Sequence, residues 1–309
     1  MSRYDIRLEI GYSYPGFVRD ARHILRIAPR AGAGQSVERF RLAILPEPSE
    51  HVIEGDFFGN RGDHVLIDHP HEALRVEMRA RVDVRRPLPE LGGSLSVGAV
   101  VAEAARSRDS EGEGPLQFLG SGRLVAPSDA VAAYLGERLT PDMPIGEAAL
   151  ALSRRIQAEF RFQAGVTTIS TRVEETFALR RGVCQDFSHL MIAGLRGLGL
   201  PAAYASGFLR TEPPPGQPRL EGADAMHAWV EVWTGAAGGW LGFDPTNGCF
   251  AGEDHVLVAR GRDYADVAPI DGVLMTSGPQ RHHHAVDMVP IGDEAPVPAR
   301  PGRPAVASP

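Results

Sequence analysis

The chain contains no lysine, so arginine supplies all 32 of its basic side chains. No partner follows from that alone. It lacks a basic excess as well, since 39 acidic residues leave a net charge of −7. Such a balance favours solubility and omits the basic stripe of a general nucleic-acid binder. Only two cysteines occur, Cys184 and Cys249, too few for a disulfide framework and suited to a reduced, cytoplasmic protein. No run approaches the ~18–20 uninterrupted apolar residues of a membrane span. The opening MSRYDIRLEIGYSYPG is charged where a signal peptide would be apolar. These absences predict a cytoplasmic protein with no nucleic-acid and no membrane partner. No internal repeat is present.

What is there divides in two. The length of 309 residues suffices for two domains with separate cores. Up to about residue 86 the pattern has a period of two. Arg3–Ile10 alternates, and Leu74, Val76, Met78, Ala80, Val82 and Val84 share one face opposite Arg75, Glu77, Arg79, Arg81, Asp83 and Arg85. Turn signals separate such runs at Tyr14-Pro15-Gly16, Pro46-Glu47-Pro48 and Gly59-Asn60-Arg61-Gly62. The expectation is an antiparallel β-sandwich or barrel. Residues 87–125, rich in Gly, Ser and Pro with the acidic run Asp109–Glu113, read as a mobile connection.

From about 126 the period becomes helical. Ser128 is placed to cap a short helix, Ile145–Phe160 aligns Ala149, Leu152, Ile156 and Phe160, and Thr171 to Glu174 has capping-box spacing. Gln185–Leu198 is a further amphipathic helix ending at Gly199. Strands are expected at Ala202–Leu209, His227–Trp233 and Trp240–Phe243, with a polar surface loop from Thr211 to Ala225. The boundaries are 1–125, 126–295, and a disordered tail from 296.

The chemistry centres on Cys184, in Arg-Arg-Gly-Val-Cys-Gln-Asp-Phe-Ser-His, where Gly182 ends one element and a helix begins. A thiol at a helix N-terminus meets unpaired amides and the positive dipole end, which favour thiolate. The same amides can stabilise an oxyanion. His227 lies in a strand-like run, Met-His-Ala-Trp-Val-Glu-Val-Trp, and Asp244 ends another, Gly-Trp-Leu-Gly-Phe-Asp. Thiol, imidazole and carboxylate form a nucleophile, its base and the group that orients the base. The bland alternatives are a buried small Cys184, a core His227 and a turn-forming Asp244 before Pro245. A metal site from Cys184, His189, His227, Cys249 and His255 lacks the short ligand spacing of structural zinc. His282-His283-His284 reads as a strand end, because three adjacent strand residues cannot share a face. Arg262, Asp263, Tyr264 and Asp266 fit either a groove wall or a charged turn.

Gly182-Val-Cys184-Gln-Asp, Met226-His227-Ala-Trp-Val-Glu and Gly239-Trp-Leu-Gly-Phe-Asp244-Pro-Thr-Asn resemble, in order and context, the three boxes of the transglutaminase-like superfamily, a papain-like cysteine-enzyme branch. Arg260 to Pro269 resembles the end of the bacterial core. Tyr14, His23, Leu25-Arg26, Pro29-Arg30, Gln35 and Asp56 to Asn60 resemble the bacterial N-terminal region. The resemblance implies an α+β fold: a papain-like transglutaminase core preceded by an antiparallel β-sandwich-like domain. It implies Cys184 as nucleophile, His227 as base and Asp244 as orienting carboxylate, acting on a peptide or protein substrate without metal or cofactor. Nothing resembles the calcium sites of animal transglutaminases. The expected reaction is hydrolysis of a peptide or isopeptide amide through a thioester. The alternatives are glutamine transglutamination with an amine acceptor, or a non-catalytic peptide-binding module. Gln157, Gln163, Gln185 and Trp229 stand open as side-chain oxyanion donors beside the amide of Cys184.

Overall fold

The computed structural model describes residues 2–32, 34–211, 224–276 and 278–291. Residues 212–223 of the expected surface loop, and the tail from 296, lie outside the described residues. The chain opens with one long strand, β1 (Ser2–Leu25), followed by β2 (Gln35–Leu45), β3 (Glu50–Gly55), β4 (Arg61–Ile67) and β5 (His71–Val84). All pairings among them are antiparallel. The alternation read in Leu74–Val84 is borne out, since its six apolar residues are all buried. Tyr14-Pro15-Gly16 is not a turn. It lies inside β1, where the register with β5 shifts between Ser13 and Val18. The bend lets one strand serve two sheets: its first half pairs with β5, and its second half pairs with β4.

The segment after β5 is not an open connection. It contains helix α1 (Val97–Arg106), whose Ser96 side chain accepts from the Ala99 amide, and a turn of tighter helix at Pro115–Phe118. Phe118 is fully buried and meets Trp240 edge-on at 4.9 Å. Apolar anchors thus outweigh the Gly/Ser/Pro composition. Helices α2 (Asp129–Gly136) and α3 (Ile145–Glu159) follow. Ser128 makes no side-chain cap on α2.

Strand β6 (Arg161–Phe162), helix α4 (Val173–Leu179) and strand β7 (Arg181–Gly182) lead into α5 (Cys184–Gly197). The expected capping box at Thr171 does not form, because its hydroxyl accepts from the Thr168 amide at 2.8 Å instead. Strands β8 (Ala202–Leu209), β9 (Ala225–Trp233), β10 (Trp240–Asp244), β11 (Cys249–Phe250) and β12 (His255–Gly261) form an antiparallel sheet in the order β11-β10-β9-β8-β12. Its face carrying Ala202, Tyr204, Phe208, Ala228 and Val230 shares one core with Phe187, Leu190, Met191 and Leu195 of α5. Each such fully buried large side chain contributes about 1.5–3 kcal/mol. Arg196 locks the helix's far end, donating to the carbonyls of Gly120, Ala202 and Arg262.

After the short helix α6 (Tyr264–Val267) the chain returns to the first sheet system. β13 (Ile270–Met275) pairs with the second half of β1, and β14 (Arg281–Pro290) pairs with the first half. The sandwich-like domain is therefore completed by the C-terminal strands. His282, His283 and His284 lie exposed in β14, consistent with their reading as a polar strand.

The two halves also join along β12. Gln35 donates to the Leu257 carbonyl and accepts from the Leu257 amide, at 2.7 and 2.9 Å. Asn60 does the same with Arg260, at 2.7 and 2.8 Å. Side-chain amides thereby satisfy an edge strand as another strand would.

Candidate active site

Cys184 is the first residue of α5, half-buried and unpaired with Cys249. The local sequence puts it there. Asp186 turns back so that its Oδ2 accepts from the Val183 amide and the Thr167 hydroxyl, both at 2.7 Å. Gly182 makes room, since a Cβ there would lie 2.6 Å from the Asp186 carboxylate. The Phe187 amide already bonds the Val183 carbonyl. The amides of Cys184, Gln185 and Asp186 fall in the first turn of α5, where a helix offers its donors no intrahelical acceptor.

His227 comes from β9, opposite Gly207 of β8. A Cβ at Gly207 would meet Trp229 at 2.5 Å and the Val256 carbonyl at 2.0 Å, so glycine is what allows Trp229 to lie across β8. Trp229 in turn stacks beside His227 at 6.4 Å and meets His255 edge-on at 5.3 Å. Asp244 closes β10 and is wholly buried.

The structure brings the three sequence-predicted residues together. His227 Nε2 donates to Asp244 Oδ2 at 2.7 Å. The Cys184 side chain lies near enough to the ring to favour its charged form, and Nδ1 is the ring nitrogen not engaged by Asp244. Asp244 takes further donors: His255 Nε2 at 3.1 Å and Asn247 Nδ2 at 2.6 Å on Oδ2, and the amides of Thr246 and Asn247 on Oδ1.

This arrangement separates the charges. Burial opposes a charge on His227, but the hydrogen bond to Asp244 and the negative charge of Asp244 and Cys184 outweigh it and raise the imidazole to about 10. Burial opposes the Asp244 charge too, yet His227 and His255 hold the carboxyl well below the usual range. For His255 burial prevails and lowers its pKa, so that ring stays neutral. With Nε2 donating to Asp244, Nδ1 is a bare acceptor, buried with no partner among the described residues.

The other candidates separate from this centre. His189 is buried, pushed down to about 3 by burial and Arg196, and accepts from the Tyr264 amide at 3.2 Å. Cys249 pairs across from Asp244 on β11. Burial, with Asp244 and Asp254 nearby, raises its thiol to about 11. Gln185 donates its side-chain amide to the Ile169 carbonyl at 3.3 Å. Asp263 accepts from the amides of Leu124, Val125 and Ala265, and Arg262 pairs with Asp266. Those residues form a charged turn rather than a groove wall.

A divalent ion has one candidate ligand set among the described residues. His227, Asp244 and His255 offer ligand atoms within 4.8 Å of one another. The 2.7 and 3.1 Å separations to Asp244 are hydrogen-bond distances with a proton between the atoms. Asn247 occupies the same oxygen. The set is satisfied without an ion.

Sequence reasoning missed His255 and Asn247 as partners of Asp244. Asn247 was visible in Asp-Pro-Thr-Asn as an Asx-type neighbour. His255 opens the apolar run His-Val-Leu-Val-Ala, and only the packing of β12 beyond β8 brings it to β10.

Residues 130–245 match the transglutaminase-like superfamily, and residues 4–83 match the bacterial transglutaminase-like N-terminal region. An uncharacterized protein of Mycobacterium tuberculosis is 37% identical over 299 residues, covering 95% of this chain and 94% of that one. One of Mycobacterium leprae is 28% identical over 271 residues, covering 87% and 91%. The crystal structure of a Cytophaga hutchinsonii protein, provisionally described as a cysteine protease, has a TM-score of 0.73 at 22% identity. It covers 95% of this chain and 92% of that one and shows the shared fold.

Proposed function

The chain belongs to the transglutaminase-like superfamily, and from that premise we propose that it is a cysteine-dependent acyl-transfer enzyme acting on peptide or isopeptide amides. The observation that carries the proposal is one imidazole held between two groups. His227 bonds Asp244, and the Cys184 side chain, at the amide-rich start of α5, lies near enough to favour the charged ring.

In the proposed reaction the Cys184 thiolate attacks the amide carbonyl carbon, and the electron pair moves to oxygen. The first-turn amides of α5 face that developing charge. As the intermediate collapses, the C–N bond breaks and His227 gives its proton to the departing amine. The product is a thioester on Cys184 and a free amine. Water then attacks the thioester, His227 takes its proton, and a carboxylic acid leaves as the thiolate returns. Asp244 remains ionised and fixes the ring. An amine in place of water gives a new amide instead, so the acceptor decides between hydrolase and transferase. Lysine is absent from the chain, so in transferase mode no ε-amine of its own is available for self-cross-linking.

The test is a peptide-library screen with and without a primary amine. Cleavage that disappears in Cys184→Ala is the expected result, and amine incorporation would assign the transferase outcome. Turnover that persists in Cys184→Ala overturns the proposal.

A further inference from the structure

The outward face of the N-terminal domain carries a groove of about 550 Å³ that the Cys184 chemistry does not use. Its charged lining is Arg7, Arg39, Arg41, Arg79 and Arg81, with Asp5 and Asp287. Register makes the concentration plain. Arg41 stands opposite Arg79, which stands opposite Arg7, and Arg39 stands opposite Arg81. Like charges directly opposed across strands destabilise a sheet. Three of these guanidinium groups are offset: Arg81 binds Asp5 through two 2.7 Å bonds, Arg79 binds Glu77, and Arg7 lies near Glu9 and Glu77. Arg39 and Arg41 are exposed and form no close ion pair among the described residues, though the Arg39 charge reaches Asp5. They lie two residues apart on β2, which among the described strands pairs only with β5 and forms the sheet's edge.

We propose that this groove binds an extended acidic peptide segment, laid along β2 with carboxylates at alternate positions facing Arg39 and Arg41. Side chains on one face of an extended peptide repeat every two residues, about 6.6–6.8 Å, which is the spacing of two guanidinium groups at i and i+2. Arginine matches carboxylate in a two-pronged geometry, and an open edge supplies main-chain donors and acceptors to an added strand. Asp5, Glu9 and Glu77 offset Arg7, Arg79 and Arg81, so the cationic strip left at Arg39 and Arg41 is short for a continuous phosphate chain and matches a two-residue carboxylate repeat. An acidic peptide therefore fits better than nucleic acid. The competing explanation is that charge on an edge strand only discourages aggregation; it predicts no saturable ligand.

Binding here does not depend on the thiol, so the test stands apart from that of the reaction. A fluorescent peptide of alternating Glu and Thr, as long as β2, is titrated with the full chain at low salt and followed by anisotropy. Its Gln/Thr counterpart and an oligothymidylate of matching length are titrated alongside. The expected result is saturable binding of the acidic peptide only, weakened roughly tenfold or more in Arg39→Gln/Arg41→Gln. Arg85→Gln, one residue past the end of β5 and outside the groove, should leave it unchanged. Absence of saturable binding, undiminished binding in the double variant, or tighter binding of the oligothymidylate would overturn the proposal.

Discussion

His255 and Asp244 meet at 3.1 Å through Nε2 and Oδ2, and that oxygen is the one His227 holds at 2.7 Å. The two rings are not equivalent. His227 is driven toward the charged form, whereas burial lowers the pKa of His255 and keeps it neutral. The N-terminal half reaches this residue too, because Arg86 donates to the His255 backbone carbonyl at 2.9 Å. His255 thus positions the carboxylate that positions His227.

His255→Leu should therefore slow alkylation of Cys184 by iodoacetamide near neutral pH by roughly ten- to a hundredfold, the range for losing a hydrogen bond to a charged group. It should also alter the pH profile of that rate. His255→Gln, which keeps an N–H donor, should recover part of the loss. A His255→Leu profile that overlays the parent's would remove His255 from this role.

The His227–Asp244 pair should make stability depend on pH with a definite sign. Asp244 is depressed, so its share is present above the ordinary carboxylate range, about 4, and is lost on acidification. His227 is raised, so its share is complete below about 6.5 and is lost as pH rises through about 10. The Tm gap between the parent and Asp244→Asn should be widest between these two carboxylate and histidine limits and shrink toward pH 10. A gap that stays constant across the alkaline range would contradict the raised imidazole.

The two thiols should separate chemically. Cys249 is held up at about 11 by burial, Asp244 and Asp254, so it stays protonated at neutral pH. Limited iodoacetamide treatment followed by peptide mass spectrometry should find the adduct on Cys184. Equal labelling of both cysteines would contradict the distinction.

Gly207→Ala should be destabilising although it adds a single methyl group, because that carbon would meet the Val256 carbonyl at 2.0 Å and Trp229 at 2.5 Å. Overpacking of this kind costs about 1–3 kcal/mol. At roughly 2–4 °C per kcal/mol for larger domains, the loss is readily seen in a thermal melt. An unchanged Tm would mean that Trp229 and β12 yield more easily than their packing indicates.

The sequence exposed most where the signal is local. Cys184, His227 and Asp244 each sit at an element end or in a strand marked by neighbouring residues, and the structure brings all three together. The alternation in Leu74–Val84 and the helix after Gly182 were equally readable. Long-range pairing was not. Nothing near residue 270 announces that β13 and β14 return to β1, or that Gln35 and Asn60 cap β12. Two local signals also lost to tertiary contacts. Pro15-Gly16 became a bend inside a paired strand, and the Thr171 hydroxyl went to the Thr168 amide.

The most direct test of the central claim is the rate of Cys184 alkylation against pH in the parent and in His227→Ala, with Cys249→Ser as the common background. The account predicts that the parent thiol reacts faster than a free cysteine below neutrality, and that His227→Ala removes this acid-side reactivity while the chain stays folded. A parent Cys184 that reacts no faster than free cysteine, or a rate profile untouched by removal of His227, would contradict it.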